Sequence, residues 1–332
     1  MKLFEPTLLG KIPLSNRVVM APMTRSRAIG NIPNDLMARH YAARASAGLI
    51  ITEGTAPSPD GLGYARIPGL FSSDQVSGWR RVTSAVRQEG GRIFAQLMHT
   101  GRVSHPANVP TGSRILAPSA IAVSGEMWTD SQGMQPHPVP QEMSEQEIEE
   151  AIRHFGDAAA NAISAGFDGI ELHGANGYLI DQFLNPAANQ RTDRWGAKPE
   201  DRRRFALEVA REVAARIGGD RVGIRVSPYG VFNDMKPFPG IDSFYADLAR
   251  ELSGIGLLYI HVVDHSSMGA PPVSPEVKHL IRTNFEGAYI LSGGYTTVQA
   301  AENDLAAGKG DLVAFGRPFI ANPDLVAKLR DG

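Results

Sequence analysis

The chain has 332 residues and a formal net charge of -2, from 33 basic and 35 acidic side chains. No block of like charge occurs, so we predict no affinity for nucleic acid or for an anionic membrane. The absence of cysteine excludes disulfides, thiolate catalysis and cysteine-held iron–sulfur clusters. With no evident secretory signal and no apolar run of membrane-spanning length, we expect a cytoplasmic protein, either an enzyme or a binding domain.

Eight short apolar runs, each ending in glycine, proline or polar residues, alternate with stretches of helical periodicity. The runs are Arg17–Thr24, Leu49–Gly54, Arg92–His99, Gly169–His173, Val222–Ser227, Leu257–Val263, Ala288–Ser292 and Leu312–Gly316. Strands that alternate with helices predict a parallel sheet, and eight unbroken units favour a closed α/β TIM barrel, (β/α)8, over an open sheet. We therefore predict one domain over residues 1–332, with an N-terminal β-hairpin over Phe4–Ile12 capping the bottom of the barrel.

Two helices and one long connection complete the pattern. Ile148–Ser164 and Arg203–Ile217 are amphipathic, and Ser144–Glu147 is a capping box that starts the first of them. The segment Arg114–Glu142 is too long and too proline-rich for an ordinary connection between a strand and a helix. It is either a surface excursion or a lid over the barrel mouth.

In such a barrel the active site lies at the carboxyl ends of the strands. The residues that the sequence places there are neutral hydrogen bonders, glycines and two arginines: Thr24, Gly54, Gln96, His99, His173, Asn176, Arg225, Gly293, Gly294, Gly316 and Arg317. The set contains no carboxylate pair for glycoside cleavage, no metal cluster and no lysine for a Schiff base. It suits a flat, polar-edged, anionic molecule.

The last two strands predict a phosphate site. Ser292–Thr296 reads Ser-Gly-Gly-Tyr-Thr and Phe315–Pro318 reads Phe-Gly-Arg-Pro. Glycines let backbone N–H groups approach phosphate oxygens, and Arg317 can add a charge-assisted hydrogen bond. A pair of tight turns is the alternative.

Three other strand-end residues have two interpretations each. Arg225 interrupts an apolar strand, either as half of an ion pair inside the barrel or as a ligand contact. Gln96 is either a satisfied core amide or a ligand contact, and Thr24 is either a turn residue or part of the site.

The stretch Gly166–Leu179 organises the candidate site. A buried strand over Ile170–Leu172 ends in three hydrogen-bonding residues, His173, Asn176 and Tyr178, none of which a parallel strand needs for packing. We predict that this strand end is the floor of an active site, although Tyr178 alone could equally pack at the barrel rim.

Five motifs together resemble the Old Yellow Enzyme family of flavin-dependent ene-reductases. They are Ala21–Ala28 (Ala-Pro-Met-Thr-Arg-Ser-Arg-Ala), Gln96–Arg102, His173–Phe183, Asn189–Gly196 and Phe315–Pro318. They occur in family order, and the resemblance runs from about Leu3 to Leu329, nearly the whole chain.

The resemblance implies tightly but non-covalently bound FMN as cofactor, with NADPH or NADH as reductant. The implied cofactor-binding residues are Pro22, Met23, Thr24, Gly54, Gln96, Arg225, Gly293, Gly294, Gly316 and Arg317. Thr24 would bond the flavin near N5, Gln96 the pyrimidine edge, and Arg225 the negative charge near N1 of the reduced ring. The anionic cofactor would then be the partner of the buried arginine.

The resemblance also implies an electron-poor alkene as substrate. His173 and Asn176 would bind the carbonyl or nitro oxygen, and Tyr178 would protonate the α-carbon after hydride transfer from FMN N5 to the β-carbon. Met98 and Tyr64 complete the implied substrate pocket. Met98 stands where many relatives have tryptophan, which predicts a reshaped pocket wall.

Three alternatives remain open beside the ene-reductase. The same site could reduce nitrate esters or nitroaromatics, the barrel could be a non-redox lyase or isomerase that binds a sugar phosphate, or the protein could hold FMN without turnover. We expect a monomer or a small homo-oligomer with no macromolecular partner.

Overall fold

The computed structural model describes residues 1–295 and 297–331. Eight parallel strands close into a barrel, each pairing with the next along the chain and the last pairing with the first. The strands are β1 (Val18–Met20), β2 (Leu49–Ile51), β3 (Ile93–Leu97), β4 (Gly169–Gly174), β5 (Val222–Val226), β6 (Tyr259–Val263), β7 (Ala288–Ser292) and β8 (Leu312–Phe315). Seven of the strands lie within the predicted apolar runs, and β4 extends one residue beyond its run, to Gly174. The predicted TIM barrel is confirmed.

Helices surround the barrel. They are α1 (Asp35–Ala42), α2 (Ser73–Gln88), α3 (Glu145–Ser164), α4 (Leu179–Leu184), α5 (Pro199–Ile217), α6 (Ile241–Ile255), α7 (Pro275–Asn284), α8 (Val298–Ala306), α9 (Arg317–Ala321) and α10 (Leu325–Asp331). Within the described parts of the chain, no helix is both long and apolar enough to cross a membrane.

Helices α3 and α5 begin a few residues before the predicted starts, and each has a local reason. At α3, the Glu147 carboxylate accepts the Ser144 N–H at 2.7 Å, and the Ser144 hydroxyl accepts the Glu147 N–H at 3.3 Å. This confirms the predicted capping box. At α5 the first residue is Pro199, whose missing N–H costs nothing in the first turn.

An antiparallel hairpin of Thr7–Leu9 and Ile12–Leu14 closes the bottom of the barrel, a few residues beyond the predicted span. Leu9 and Leu14 pack on the apolar residues of the barrel interior. Gly10 turns the chain with φ at 58°, which favours glycine.

The barrel interior changes from apolar at the bottom to polar at the top. Phe94 and Tyr259 fill the lower part, with ring centroids 6.0 Å apart. Glycines on neighbouring strands make room for them, because a Cβ at Gly169 would overlap the Phe94 ring and one at Gly223 the Tyr259 ring. Above this layer the inward-facing positions are polar, which predicts a ligand at the carboxyl ends of the strands rather than more packing.

The excursion Arg114–Glu142 lies on the loops at the barrel mouth. It contains the paired segments Leu116–Ala117 and Gln141–Glu142, and a hairpin of Glu126–Thr129 with Gly133–Pro136. The backbone N–H and the hydroxyl of Ser124 both donate to the Asp234 carboxylate at 2.6 Å. Arg102, in the loop after β3, donates to the Ile121 carbonyl at 3.3 Å. These contacts favour the lid over the plain surface excursion.

Candidate active site

The turn that follows β4 is held rigidly by its neighbours. Asn176 has φ at 61°, in the left-handed region, and its N–H donates to the Ser227 hydroxyl at 2.9 Å. Its carbonyl accepts from Asn233 Nδ2 at 2.7 Å. The next residue, Gly177, donates its N–H to the Asp181 carboxylate at 2.8 Å. A strained residue tied down on both sides is typical of a site whose side chains must be placed accurately.

The side chain of Asn176 has one partner, which the sequence did not reveal. His265 Nε2 lies 2.7 Å from Asn176 Oδ1, and the imidazole packs edge-on against Phe232 at 4.6 Å between centroids. Burial, and then the nearby Arg225 guanidinium, lower the pKa of His265 to about 4. The imidazole is therefore neutral at physiological pH. The only signal in the sequence was its place two residues after the apolar run of β6.

His173 and Tyr178 meet beside Asn176. Their rings pack edge to face with centroids 4.8 Å apart. Burial, reinforced by Arg225, holds the pKa of His173 well below its usual value, and the ring is neutral. Its Nδ1 is buried and has no hydrogen-bond partner among the described residues. A buried unpaired nitrogen of this kind fits a ligand that supplies the missing partner.

Tyr178 also contacts Tyr64. The two hydroxyl oxygens lie 3.1 Å apart, and either can donate. Burial first, and then Tyr64, raise the pKa of Tyr178 well above 10, so the phenol keeps its proton at neutral pH. Met98 packs below both tyrosines in a small buried cluster. Four of the five residues predicted to bind substrate thus lie in contact with one another: His173, Tyr178, Tyr64 and Met98.

Arg225, on β5, lies between His173 on β4 and His261 on β6 in the strand register. It is 6% exposed, and its Nε has no hydrogen-bond partner among the described residues. Burial lowers the pKa of Arg225, and the carboxylate of Glu171 is its strongest favourable neighbour. No ion pair joins Arg225 to a carboxylate in the described parts of the chain, so that interpretation of its burial fails and a ligand remains.

Gln96, on β3, is both a core amide and a candidate ligand contact. Its Nε2 donates to Glu171 Oε1 at 2.8 Å, inside the barrel. The other oxygen of Glu171 lies 2.8 Å from His261 Nδ1 and accepts from the Tyr259 hydroxyl at 3.1 Å. None of these three partners was predicted from the sequence. The sign of them in the sequence was that polar residues occupy alternate positions of two buried strands. These are positions 171 and 173 of β4 and positions 259 and 261 of β6.

The glycines after β7 have different structural reasons. Gly293 has φ at 105°, and a Cβ there would overlap the Asp264 backbone, so close packing alone requires glycine. Gly294 has φ at 75°, but no atom of the described residues lies within 4 Å of a Cβ position there. Thr296, the last residue of the predicted motif, lies outside the described residues.

Arg317 and Gly316 lie at the start of α9, after β8. The Arg317 side chain is exposed and forms no hydrogen bond or ion pair with the described residues. A Cβ at Gly316 would have the Met23 sulfur as its nearest neighbour, at 3.7 Å. The second neighbour is the Ala21 Cβ at 4.0 Å, so the ends of β8 and β1 lie side by side, at ordinary contact distance.

The loop after β1 carries Pro22, Met23 and Thr24, with Thr24 exposed. Glu53 supports this loop from beneath, because its carboxylate accepts the Arg25 N–H at 3.0 Å. Gly54, next in sequence, is required by packing, since a Cβ there would overlap the Met98 side chain. The loop after β1, with Pro22, Met23 and Thr24, lies at the same end of the barrel as Gln96 and Arg225.

Comparison with known proteins identifies the family. The sequence profile of the NADH:flavin oxidoreductase / NADH oxidase family matches residues 2–332. A probable flavin mononucleotide-dependent alkene reductase of Leishmania infantum is 42% identical over 334 residues, which cover 98% of this chain and 89% of the relative.

Two solved structures agree. The Old Yellow Enzyme homologue from Zymomonas mobilis superposes with a TM-score of 0.94 at 36% identity, covering 100% of this chain and 93% of that one. Morphinone reductase in complex with tetrahydroNAD gives 0.94 at 39% identity, covering 100% and 91%.

This chain belongs to the Old Yellow Enzyme family.

Membership makes the protein an FMN-dependent oxidoreductase that acts with a nicotinamide reductant on a small molecule. The site fits FMN. The buried Arg225 Nε has no hydrogen-bond partner among the described residues, and Gly294 has no described atom within 4 Å of a Cβ position, which leaves both free to contact an anionic, phosphorylated ring compound. Membership in the Old Yellow Enzyme family also removes the non-redox barrel lyase or isomerase from the alternatives.

Proposed function

We propose that this protein is an NAD(P)H-dependent ene-reductase that reduces C=C bonds activated by a carbonyl or nitro group. The observation that carries the proposal is the convergence of His173, Asn176 and Tyr178 at the end of β4, beside the enclosed arginine of β5. FMN, when bound, supplies the hydride that a nicotinamide has delivered to it. Storage of FMN without turnover would need none of the three β4 residues.

The cofactor would be held by residues from six strand ends. Gly293, Gly294, Gly316 and Arg317 would bind the phosphate, because glycine N–H groups and an exposed guanidinium are suitable donors. Pro22, Met23, Thr24 and Gly54 would line the ring, and Gln96 and Arg225 would contact its pyrimidine side. Burial of the Arg225 charge is then compensated by the anionic ligand.

His173 and Asn176 would bind the oxygen of the activating group. A neutral imidazole has one N–H, and the low pKa of His173 keeps it in that form. Asn176 presents its amide N–H₂ to the site when its Oδ1 accepts a hydrogen bond from His265. Two hydrogen bonds to this oxygen withdraw electrons from the alkene and stabilise the negative charge that hydride addition creates.

Tyr178 would then supply the proton. Hydride adds to the β-carbon, the electron pair of the C=C bond moves toward the activating group, and the α-carbon takes the phenolic proton. The raised pKa of Tyr178 keeps that proton in place until the carbanion forms. Tyr64, 3.1 Å away, is placed to hydrogen-bond the phenolate left behind.

A second candidate reaction uses the same donors. The oxygens of a nitrate ester or a nitroaromatic could occupy the position between His173 and Asn176, and reduction there needs no proton on carbon. The two reactions therefore differ in their dependence on Tyr178. The cytoplasmic location and the monomeric or small-oligomeric state stay predictions.

Anaerobic mixing experiments test the proposal. Protein loaded with FMN is first reduced with NADPH or with NADH, and the reduced protein is then mixed with 2-cyclohexenone, with a nitroalkene or with a nitrate ester. We expect the flavin absorbance near 450 nm (a general property of flavins) to disappear with a nicotinamide and to return with the enone. A protein that is reduced by both nicotinamides and reoxidised by none of the three acceptors would contradict the proposal.

A further inference from the structure

A buried carboxylate lies inside the barrel, directly below the candidate cofactor site. Glu171 is 0% exposed, and its two oxygens contact Gln96 Nε2 at 2.8 Å, His261 Nδ1 at 2.8 Å and the Tyr259 hydroxyl at 3.1 Å. Burial of an acidic side chain is costly unless it has partners of this quality. Nothing in the reaction proposed above uses Glu171.

We propose that Glu171 is a positioning residue, which fixes the amide of Gln96 so that its carbonyl oxygen is left for the cofactor. The site would then select a ring that presents an N–H donor to Gln96, as N3–H of the isoalloxazine does. This inference rests on the proposed function, because it assumes that Gln96 contacts FMN.

The contact with Glu171 fixes which end of the Gln96 amide points toward the cofactor site. The two ends of a glutamine amide have nearly the same shape, and only their hydrogen-bond partners distinguish them. A carboxylate oxygen accepts hydrogen bonds, so the N–H₂ end of Gln96 faces Glu171 Oε1. The Oε1 atom of Gln96 accepts no hydrogen bond from the described residues. It is also not one of the completely buried unpaired atoms, so a ligand can reach it. An acceptor is thereby left for a ligand.

Glu171 is itself held in place by two side chains of β6. The Tyr259 hydroxyl reaches it because Gly223, on the neighbouring strand, leaves room for the tyrosine ring. Burial lowers the pKa of His261, so its ring is neutral and donates one N–H to the carboxylate. The carboxylate is therefore fixed by donors on β6 and cannot turn away from Gln96 on β3.

Glu171 also interacts with Arg225 through charge, without forming an ion pair with it. The Arg225 guanidinium is enclosed, and Glu171 is the group that most favours its charged form. No ion pair forms between Glu171 and Arg225 among the described residues. The carboxylate therefore favours the charged arginine from a distance and leaves the Nε–H of Arg225 without a partner. Arg225 and Gln96 thus both remain available to a ligand.

The informative change is Glu171→Gln. A glutamine at this position can donate to Gln96 Oε1, which allows the Gln96 amide to turn and present its N–H₂ to the N3–H of the flavin. Two donors would then face each other. We expect the Kd for FMN to rise by about tenfold or more, the effect of losing one buried hydrogen bond.

A double-mutant cycle separates positioning from general structural damage. Kd for FMN is measured by flavin fluorescence on apo-protein of the wild type, Glu171→Gln, Gln96→Leu and the double variant. We expect Glu171→Gln to weaken binding strongly when Gln96 is present and by no more than about twofold when residue 96 is leucine. Equal weakening in both backgrounds would overturn the inference.

The matched control is Tyr259→Phe, which removes a different hydrogen bond from the same carboxylate. It should lower the melting temperature but leave the FMN affinity within about twofold of wild type, because Gln96 keeps its partner. If Glu171→Gln does not fold, Glu171→Asp makes the same test, since it keeps the charge but withdraws the carboxylate from Gln96.

A spectroscopic measurement reads the hydrogen bond directly. FMN labelled with ¹⁵N at N3 should show a slowly exchanging N3–H proton in the wild type and in Tyr259→Phe, and a rapidly exchanging one in Glu171→Gln. Slow exchange retained in Glu171→Gln would overturn the inference while leaving the proposed function intact. A wild-type protein that binds no FMN would instead overturn the proposed function.

Discussion

The hydroxyl oxygens of Tyr64 and Tyr178 lie 3.1 Å apart, and their rings meet edge to face with centroids 6.2 Å apart. One phenol comes from the loop after β2 and the other from the turn after β4. Burial raises the pKa of both. The pair therefore holds a proton at neutral pH next to the two proposed oxygen-binding residues, and each tyrosine can be tested by removing a single oxygen atom.

Tyr178→Phe should slow alkene reduction by about 100-fold or more, the usual contribution of a positioned general acid. Reduction of FMN by the nicotinamide needs no proton on carbon and should change little. Stopped-flow measurement of the two half-reactions separates them. Equal losses in both would remove Tyr178 from the role of proton donor, and an unchanged rate with a nitrate ester would support the second candidate reaction.

Tyr64→Phe should have a smaller effect of the same kind. It leaves the Tyr178 proton in place but removes the hydrogen bond that stabilises the phenolate, worth about 1 kcal/mol or a factor of about five in rate. The pH dependence of the reoxidation rate by 2-cyclohexenone is the measurement. A loss as large as that of Tyr178→Phe would mean that Tyr64 itself delivers the proton.

His265→Phe tests the orientation of Asn176. Phenylalanine keeps the aromatic contact with Phe232 but cannot bond the Asn176 amide, which becomes free to turn. We expect kcat/KM for an enone to fall by about fivefold, the value of one hydrogen bond. His265→Gln, which can still donate to Oδ1, should recover much of the loss. In an Asn176→Ala background, His265→Phe should add nothing further.

Arg317→Ala should weaken retention of FMN. The exposed guanidinium would make a charge-assisted bond to the phosphate, worth about 1.5–3 kcal/mol, so Kd should rise by about 10- to 100-fold. Riboflavin, which lacks the phosphate, provides the control. Its affinity should be the same for the variant and the wild type, and an unchanged affinity for FMN would assign Arg317 to the fold.

The buried histidines predict a loss of stability in acid. Burial lowers the pKa of His99 to about 3 and that of His40 to about 4. Because these folded-state values lie below the unfolded value of 6.5, the unfolded chain binds more protons below that pH. The contribution of these two histidines to the free energy of unfolding is therefore fully present above pH 6.5 and is lost as the pH falls toward 3.

Urea denaturation at a series of pH values measures this loss. Each histidine should contribute a slope of up to about 1.4 kcal/mol per pH unit in that range. Replacing His99 by asparagine should flatten the acid side of the curve relative to the wild type. An acid slope equal to that of the wild type would contradict the assignment to His99.

Much of this protein could be predicted from its sequence because the relevant signals are local. Each strand is a short apolar run with a polar exit, and the capping box at Ser144 marks the start of a helix within four residues. The residues at the strand ends could be grouped because closure of the barrel brings all carboxyl ends to one rim. The roles proposed for His173, Asn176 and Tyr178 follow from the resemblance of one contiguous motif to the family.

The partners across the barrel could not be predicted in this way. Alternation along β4 shows that Glu171 and His173 share a face, but only strand register and closure decide that Glu171 meets Gln96, Tyr259 and His261. The contact between His265 and Asn176 likewise joins residues 89 positions apart through two loops. The sequence by itself determined the barrel, its strands and the residues at its mouth. Only the tertiary structure decided which polar atoms are already paired and which remain for a ligand, because hydrogen bonding depends on distances of a few tenths of an ångström that residue order does not encode.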